Sequence, residues 1–242
     1  MIGTVVNTIA VILGALLGYI IKGRLKQRYR DILTSVLGLA VIFTGASSAL
    51  GGMLSDGAEP ILYIVSLVIG CIIGEFLDIE GKLCYIGDLI QKKIGSNGGN
   101  ISQGFVTASL TFCIGTMAIM GSIESGIMGV HTILYTKSVI DGVTSIVYAS
   151  TLGIGVVFSA VSVFLYEGTL TIAASLLQPY ITNDMMREVS IVGGILIAAI
   201  GVNMLEIKKF KVGNMLPAII VPVIYYLPFV RNIVSAMSTF LH

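Results

Sequence analysis

The chain has no tryptophan, two histidines, three cysteines and few charges; only 11% of its 242 residues are Asp, Glu, Lys or Arg, against about 25% in soluble domains. Each shortage excludes something. His131 and His242 are too far apart in sequence to form a local metal signature. Cys71, Cys84 and Cys113 are odd in number, and none sits at ligand spacing to another or to a histidine. That argues against a disulfide framework and a zinc site and leaves three small apolar side chains. No P-loop, His-Glu metal motif or nucleophile elbow is present, so the sequence gives no support for an enzyme, and no cofactor is expected. A formal charge of +1 without a basic arm argues against nucleic acid. What fills the chain instead is hydrophobic residue, 55% of the total. The expected class is all-α, a polytopic membrane helix bundle whose first partner is the lipid bilayer.

A spanning helix needs about 20 mostly apolar residues. On that rule eight spans are expected, at 2–21, 32–52, 61–78, 105–123, 133–151, 153–177, 189–205 and 213–230. The first is read as a retained helix rather than a cleaved signal, because its basic residues follow the apolar run. Basic residues alternate between loops. The first, third and seventh loops hold eleven, from Lys22 to Arg30, at Lys82, Lys92 and Lys93, and at Lys208, Lys209 and Lys211. Arg187 and Arg231 are the two others outside the spans, and Lys137 lies within one. The positive-inside rule then puts the odd loops in the cytoplasm and both termini outside, in a bacterial plasma membrane. With no Trp, the aromatic belt falls to Tyr19, Tyr63, Tyr135, Tyr148, Tyr225 and Tyr226, all near expected helix ends.

The whole of 1–242 reads as one membrane domain with an internal joint. Residues 1–78 form a three-helix half and 105–242 a five-helix half. Between them, 79–94 is an amphipathic helix for the inner surface, with Ile79, Leu83, Ile86, Ile90 and Ile94 at helical spacing. Ser96–Asn100 completes the link, so the joint runs over 79–104. GxxxG pairs at Gly14/Gly18 and Gly70/Gly74 mark close helix packing, within the chain or in a homo-oligomer. Ser35–Ile42 resembles Ser190–Ile197 in spans of opposite direction, and spans one to three are opposed to four to six. Both hint at inverted repeats.

The stretch from Phe105 to Asp141 is apolar, yet it carries many polar residues and is interrupted by Gly115, Gly121, Gly126 and Gly129. Irregular backbone at membrane depth is tolerated only around a cavity or inside protein, so broken helices are expected here. Lys137 and Asp141 share a helix face, and charges inside a span are costly and usually functional. Ser109, Cys113 and Thr116 recur on one face of the fourth span and could border a polar site with Asp141 near the midplane, suited to sodium or a proton. Glu75, Glu124 and Glu167 are carboxylates beside or near glycines, a placement that suits helix breaks; Glu167-Gly168 reads as near one end of its span. Asn7 and Asn214 add amides, and Pro217, Pro222 and Pro228 kink the last span.

Asn7, the Phe105–Glu124 segment, Lys137-Ser138-Val139-Ile140-Asp141-Gly142, Gly153-Ile154-Gly155 and Asn214-Met215-Leu216-Pro217-Ala218 together resemble the bacterial membrane-protein family catalogued as domain of unknown function 554, over nearly the whole chain. Thr116 departs from a frequent proline in that pattern. The resemblance implies a possible sodium channel or pump. The polar and ionisable groups inside the spans give the expected function, a secondary transporter or ion channel for a small solute or cation. Its candidate binding residues are Asp141, Lys137, Ser109, Thr116, Cys113, Glu124, Asn7 and Asn214. The alternative is a non-transporting membrane module that serves a partner protein.

Overall fold

The computed structural model describes residues 1–22, 27–94, 101–177, 179, 181–227 and 230. Arg24, Lys26, the Ser96–Asn100 link, Pro228, Arg231 and His242 lie outside the described residues. The elements, in order, are α1 (Ile2–Lys22), α2 (Gln27–Met53), α3 (Pro60–Leu77), α4 (Ile79–Ile94), α5 (Ile101–Ile114), α6 (Thr116–Ile127), α7 (Thr132–Leu152), α8 (Gly155–Leu177), α9 (Asn183–Met204), α10 (Val212–Met215), a 3-10 turn (Leu216–Ile219) and α11 (Ile220–Tyr225). No strand occurs among the described residues.

The solvent this bundle suits is visible in which faces it buries. On α7, Lys137, Ser138, Asp141 and Ser145 are buried, while Val139, Ile140 and Val143 are exposed. On α1, Thr4 and Asn7 are buried, while Leu13, Leu17 and Ile20 are exposed. Water would select the reverse, because polar groups without partners are costly only where the surroundings are apolar. Five helices, within α1, α2, α3, α8 and α9, are long and apolar enough to cross a membrane, or six if α5 and α6 form one span. α7 has 21 residues, its apolar character diluted by Lys137, Asp141 and several hydroxyls. The eight expected spans are compatible with this arrangement.

Close backbone contacts give the direction of each helix. A Cβ built at Gly14 would lie 2.2 Å from the Gly142 carbonyl oxygen, and one at Gly18 would lie 2.1 Å from that of Ile146. Contacts therefore rise together along α1 and α7, which are parallel. Ile101 meets Gly155, Ser109 meets Ser162, and Gly126 meets Thr171, so α5 and α6 both run parallel to α8. The two short helices are bent by 60° at Gly115 but keep one overall direction, as a broken span does and a re-entrant loop does not. Gly70 and Gly74 meet Ala218 and Asn214, so α3 and α10 are antiparallel. All these directions are compatible with an eight-span chain. The GxxxG motifs are thus used inside the molecule.

α2 and α9 cross antiparallel with reciprocal contacts. A Cβ at Gly45 would meet the Gly194 oxygen at 2.5 Å and the Ala198 nitrogen at 2.4 Å; one at Gly194 would meet the Gly45 oxygen at 2.6 Å and the Ala49 nitrogen at 2.5 Å. Such a pattern is what a two-fold axis between the helices requires. It relates Gly45, Ala49 and Gly52 to Gly194, Ala198 and Gly201, a different register from the Ser35/Ser190 match in the sequence.

A helix, α4, fills the 79–94 stretch. Asp78, in the left-handed region at φ 46, ends α3 and turns the chain into it. Leu83 and Cys84 pack on the core, while Tyr85, Ile86 and Leu89 are exposed. The last apolar stretch is broken, as its prolines imply, with Pro217 opening the 3-10 turn.

Candidate functional site

Three helices meet in a buried polar cluster. α7 supplies Lys137 and Asp141, one turn apart on the face packed against α1. α8 supplies Glu167 and α1 supplies Asn7. Asp141 lies midway along α7, and Glu167 lies near the middle of an unbroken α8, not near one end as the sequence suggested. All four are at most 6% exposed.

Lys137 Nζ donates to Asp141 Oδ2 and lies 3.5 Å from Glu167 Oε1. Asn7 Nδ2 donates to Glu167 Oε1 at 2.7 Å and lies 3.1 Å from Asp141 Oδ2. One ammonium and one amide therefore serve two carboxylates. Glu167 Oε2 and Asn7 Oδ1 are buried without a hydrogen-bond partner among the described residues. Thr171 Oγ1 closes the cluster toward Thr4, 3.3 Å from Thr4 Oγ1, and donates to the Glu167 carbonyl. Cys113, the penultimate residue of α5, is within electrostatic reach of Lys137, Asp141 and Glu167. The α5–α6 break thus lies beside the cluster. At Gly115 a Cβ would meet nothing within 4 Å among the described residues.

The other expected site residues lie elsewhere. Ser109 is buried but bonds Ser162 of α8 at 3.0 Å rather than Asp141. The single face expected for Ser109, Cys113 and Thr116 ends at Gly115, because Thr116 begins a new helix; its side chain lies outside the described residues. Glu124 lines a cavity of about 280 Å³ toward the end of α6, with Met120, Ile123, Ile127, Ile133 and Ile181. Asn214 belongs to a clasp between α3, α4 and α10: it donates to Glu75 at 2.7 Å and accepts from the Glu80 N–H at 2.7 Å. Lys211 bonds Glu75, and Glu80 accepts from the Gly213 N–H at 2.9 Å. Burial pushes the Glu80 carboxyl up, with that N–H offsetting part of the shift. Glu75 and Glu167 stand in continuous helices, so neither marks a break.

The chain matches, over residues 2–227, the family described as Protein of unknown function (DUF554). It belongs to that family. It is 38% identical over 222 residues to Uncharacterized membrane protein YdfK of Bacillus subtilis (strain 168), covering 92% of this chain and 94% of the relative. It is 32% identical over 226 residues to Uncharacterized protein YqgA of Escherichia coli (strain K12), covering 90% and 93%. No solved structure matches. Membership covers every element that builds the polar cluster, so α1, α7 and α8 all lie within the shared region.

Glu167 is the member that sequence reading left out of the candidate site. The signal was its depth: placed against span ends at 155 and 177, it falls near the centre.

Proposed function

We propose that this membrane protein is a small secondary transporter or ion channel of the bacterial plasma membrane, moving a small solute or cation past the Asn7–Lys137–Asp141–Glu167 cluster. One observation carries the reading. A purely structural buried ion pair is balanced, whereas this cluster has two acids for one base and two polar atoms without partners among the described residues. Ionisable groups midway along apolar helices are expensive and mark ion or substrate pathways. The break beside the cluster supports the same reading, since discontinuous helices build midplane sites in secondary transporters. So does the α2–α9 two-fold, because inverted repeats accompany alternating access. A partner-binding module should leave its small-residue faces open; here Gly14, Gly18, Gly70 and Gly74 are covered from within.

The test is purified protein in sealed vesicles with a cation- or pH-sensitive dye inside, compared with Asp141→Asn. Flux present in wild type and lost in the variant is expected. Equal flux in both would overturn the site, and no proton, sodium or potassium flux in wild type would overturn ion transport.

A further inference from the structure

The composition of the cluster bears on which ion it takes. A sodium ion needs a shell of oxygen ligands. Around Asp141 and Glu167 the nearest groups are donors: the Lys137 ammonium lies on Asp141 Oδ2 and 3.5 Å from Glu167 Oε1, and the Asn7 amide nitrogen is within 3.1 Å of both acids. An alkali cation among them would face a fixed positive charge. No group of three His, Cys, Asp or Glu side chains among the described residues could hold a metal. Glu167 Oε2 is buried and has no hydrogen-bond partner among the described residues.

A proton bound to that oxygen cancels its uncompensated charge and needs no ligand shell. With Lys137 charged and both acids ionised the cluster carries one net negative charge, and a single proton neutralises it. The groups facing Glu167 are Lys137 and Asp141 from α7, Asn7 from α1, and Cys113 from α5. Tyr166 is its neighbour on α8. Glu124, the acid of α6, lines the separate cavity toward that helix's end. Of the cluster's two acids, Glu167 is therefore the one with an oxygen both fully buried and unpartnered among the described residues, while the hydrogen bonds of Asp141, from Lys137 and Asn7, fall on Oδ2.

We propose that the cluster reversibly binds one proton on Glu167 Oε2, and that Lys137 excludes sodium from it. The step is a transfer from hydronium to the carboxylate; water and a neutral carboxylic acid result, and no other bond changes. The inference deepens the transport reading by naming the ion, but it concerns binding and stands apart from flux.

The experiment is infrared difference spectroscopy on the full chain in lipid vesicles across a pH series, in light and heavy water. We expect a carboxylic-acid C=O band that titrates, shifts on deuteration and is absent from Glu167→Gln. Asp141→Asn leaves Lys137 a single acid to serve and should displace the pH at which the band appears. Replacing choline chloride by sodium chloride at constant ionic strength should leave the titration unmoved. If Glu167→Gln does not fold, Glu167→Asp should retain a band at altered frequency. A band that survives Glu167→Gln but vanishes in Asp141→Asn, an unaltered band in Glu167→Asp, no band at all, or a sodium-dependent shift would each overturn the proposal. Proton binding without vesicle flux would overturn only the transport reading, and flux without the band would overturn only this one.

Discussion

Lys137 sits where a lysine is hardest to keep, and its neighbours explain how it stays. Its charge is shared between Asp141 and Glu167, and the Asn7 amide donates to one oxygen of each acid. Breaking a buried ion pair from one side strands a charge and costs on the order of 3–5 kcal/mol. Lys137→Ala should therefore lower the melting temperature in detergent more than the same change combined with Asp141→Asn and Glu167→Gln. Under alkaline conditions, with both acids ionised, recovery should come in two steps, one for each acid neutralised. Full recovery at the first step would mean that Glu167 carries no charge there, and a wild-type melt for Lys137→Ala would mean the cluster is not buried. Half of this arrangement was legible in the sequence. Lys137 and Asp141 declare themselves by helical spacing. Asn7 and Glu167 are 160 residues apart and meet only through packing, which no local pattern encodes. Ser109 was drawn to Asp141 by a spacing argument that assumed a continuous helix.

At the scale of elements, glycines do two opposite jobs. Gly14 and Gly18 let α7 approach α1 to backbone contact, so a methyl at Gly18 has nowhere to go; Gly18→Ala should cost about 1–3 kcal/mol by overpacking. Gly115 stands in extended backbone with φ −69 and ψ 144, which alanine also adopts, and a methyl there would meet nothing within 4 Å among the described residues. Gly115→Ala favours helix by up to about 1 kcal/mol. It should leave the melting temperature near wild type while lowering vesicle flux, because it biases α5 and α6 toward one straight helix. Equal loss of stability in both variants would remove the distinction. The sequence announced that the Phe105–Asp141 stretch would be interrupted, but not where. Of its glycines, Gly115 takes the break and Gly129, at φ 67, the turn; Gly121 and Gly126 pack against neighbours. Only contacts with α7 and α8 separate those uses. The apolar runs themselves gave helix positions to within a few residues for most spans, since length and composition suffice for that.

The whole molecule is polarised in charge. Lys22 abuts Gly153, and Lys211 clasps Glu75 at the same end as Glu80 and Gly213. At the other end Arg187 binds the Asp56 carbonyl and the Asp184 carboxylate, and Glu59 accepts from Tyr225 and Tyr226. The positive-inside rule would put the basic end in the cytoplasm; on that orientation cysteines placed at Asp56 and Asp184 should react with an impermeant reagent added to whole cells, and one at Lys209 should not. Labelling at Lys209 alone would invert the protein. The repeat was the whole-molecule feature read least well from sequence. Apolar residues match one another by chance, as Ser35–Ile42 and Ser190–Ile197 do. The positions that build the two-fold are the small ones, Gly45-x-x-x-Ala49-x-x-Gly52 and Gly194-x-x-x-Ala198-x-x-Gly201.

That crossing of α2 and α9 also has a kinematic meaning. Backbone rests on backbone there, with no side chain in between whose rotamer would have to reset when one helix tilts against the other. Points near a rotation axis barely travel, while displacement grows with distance from it. Gly38 opposite Gly201 and Gly52 opposite Arg187 lie about 10 Å along the helices from Gly45, at 1.5 Å per residue. A rocking of the two helices about this crossing would leave Gly45 and Gly194 almost still and turn each helix into a lever. The swing would be largest at the two mouths of the bundle, and at one of them the Arg187 contacts with Asp56 and Gly57 would act as a latch.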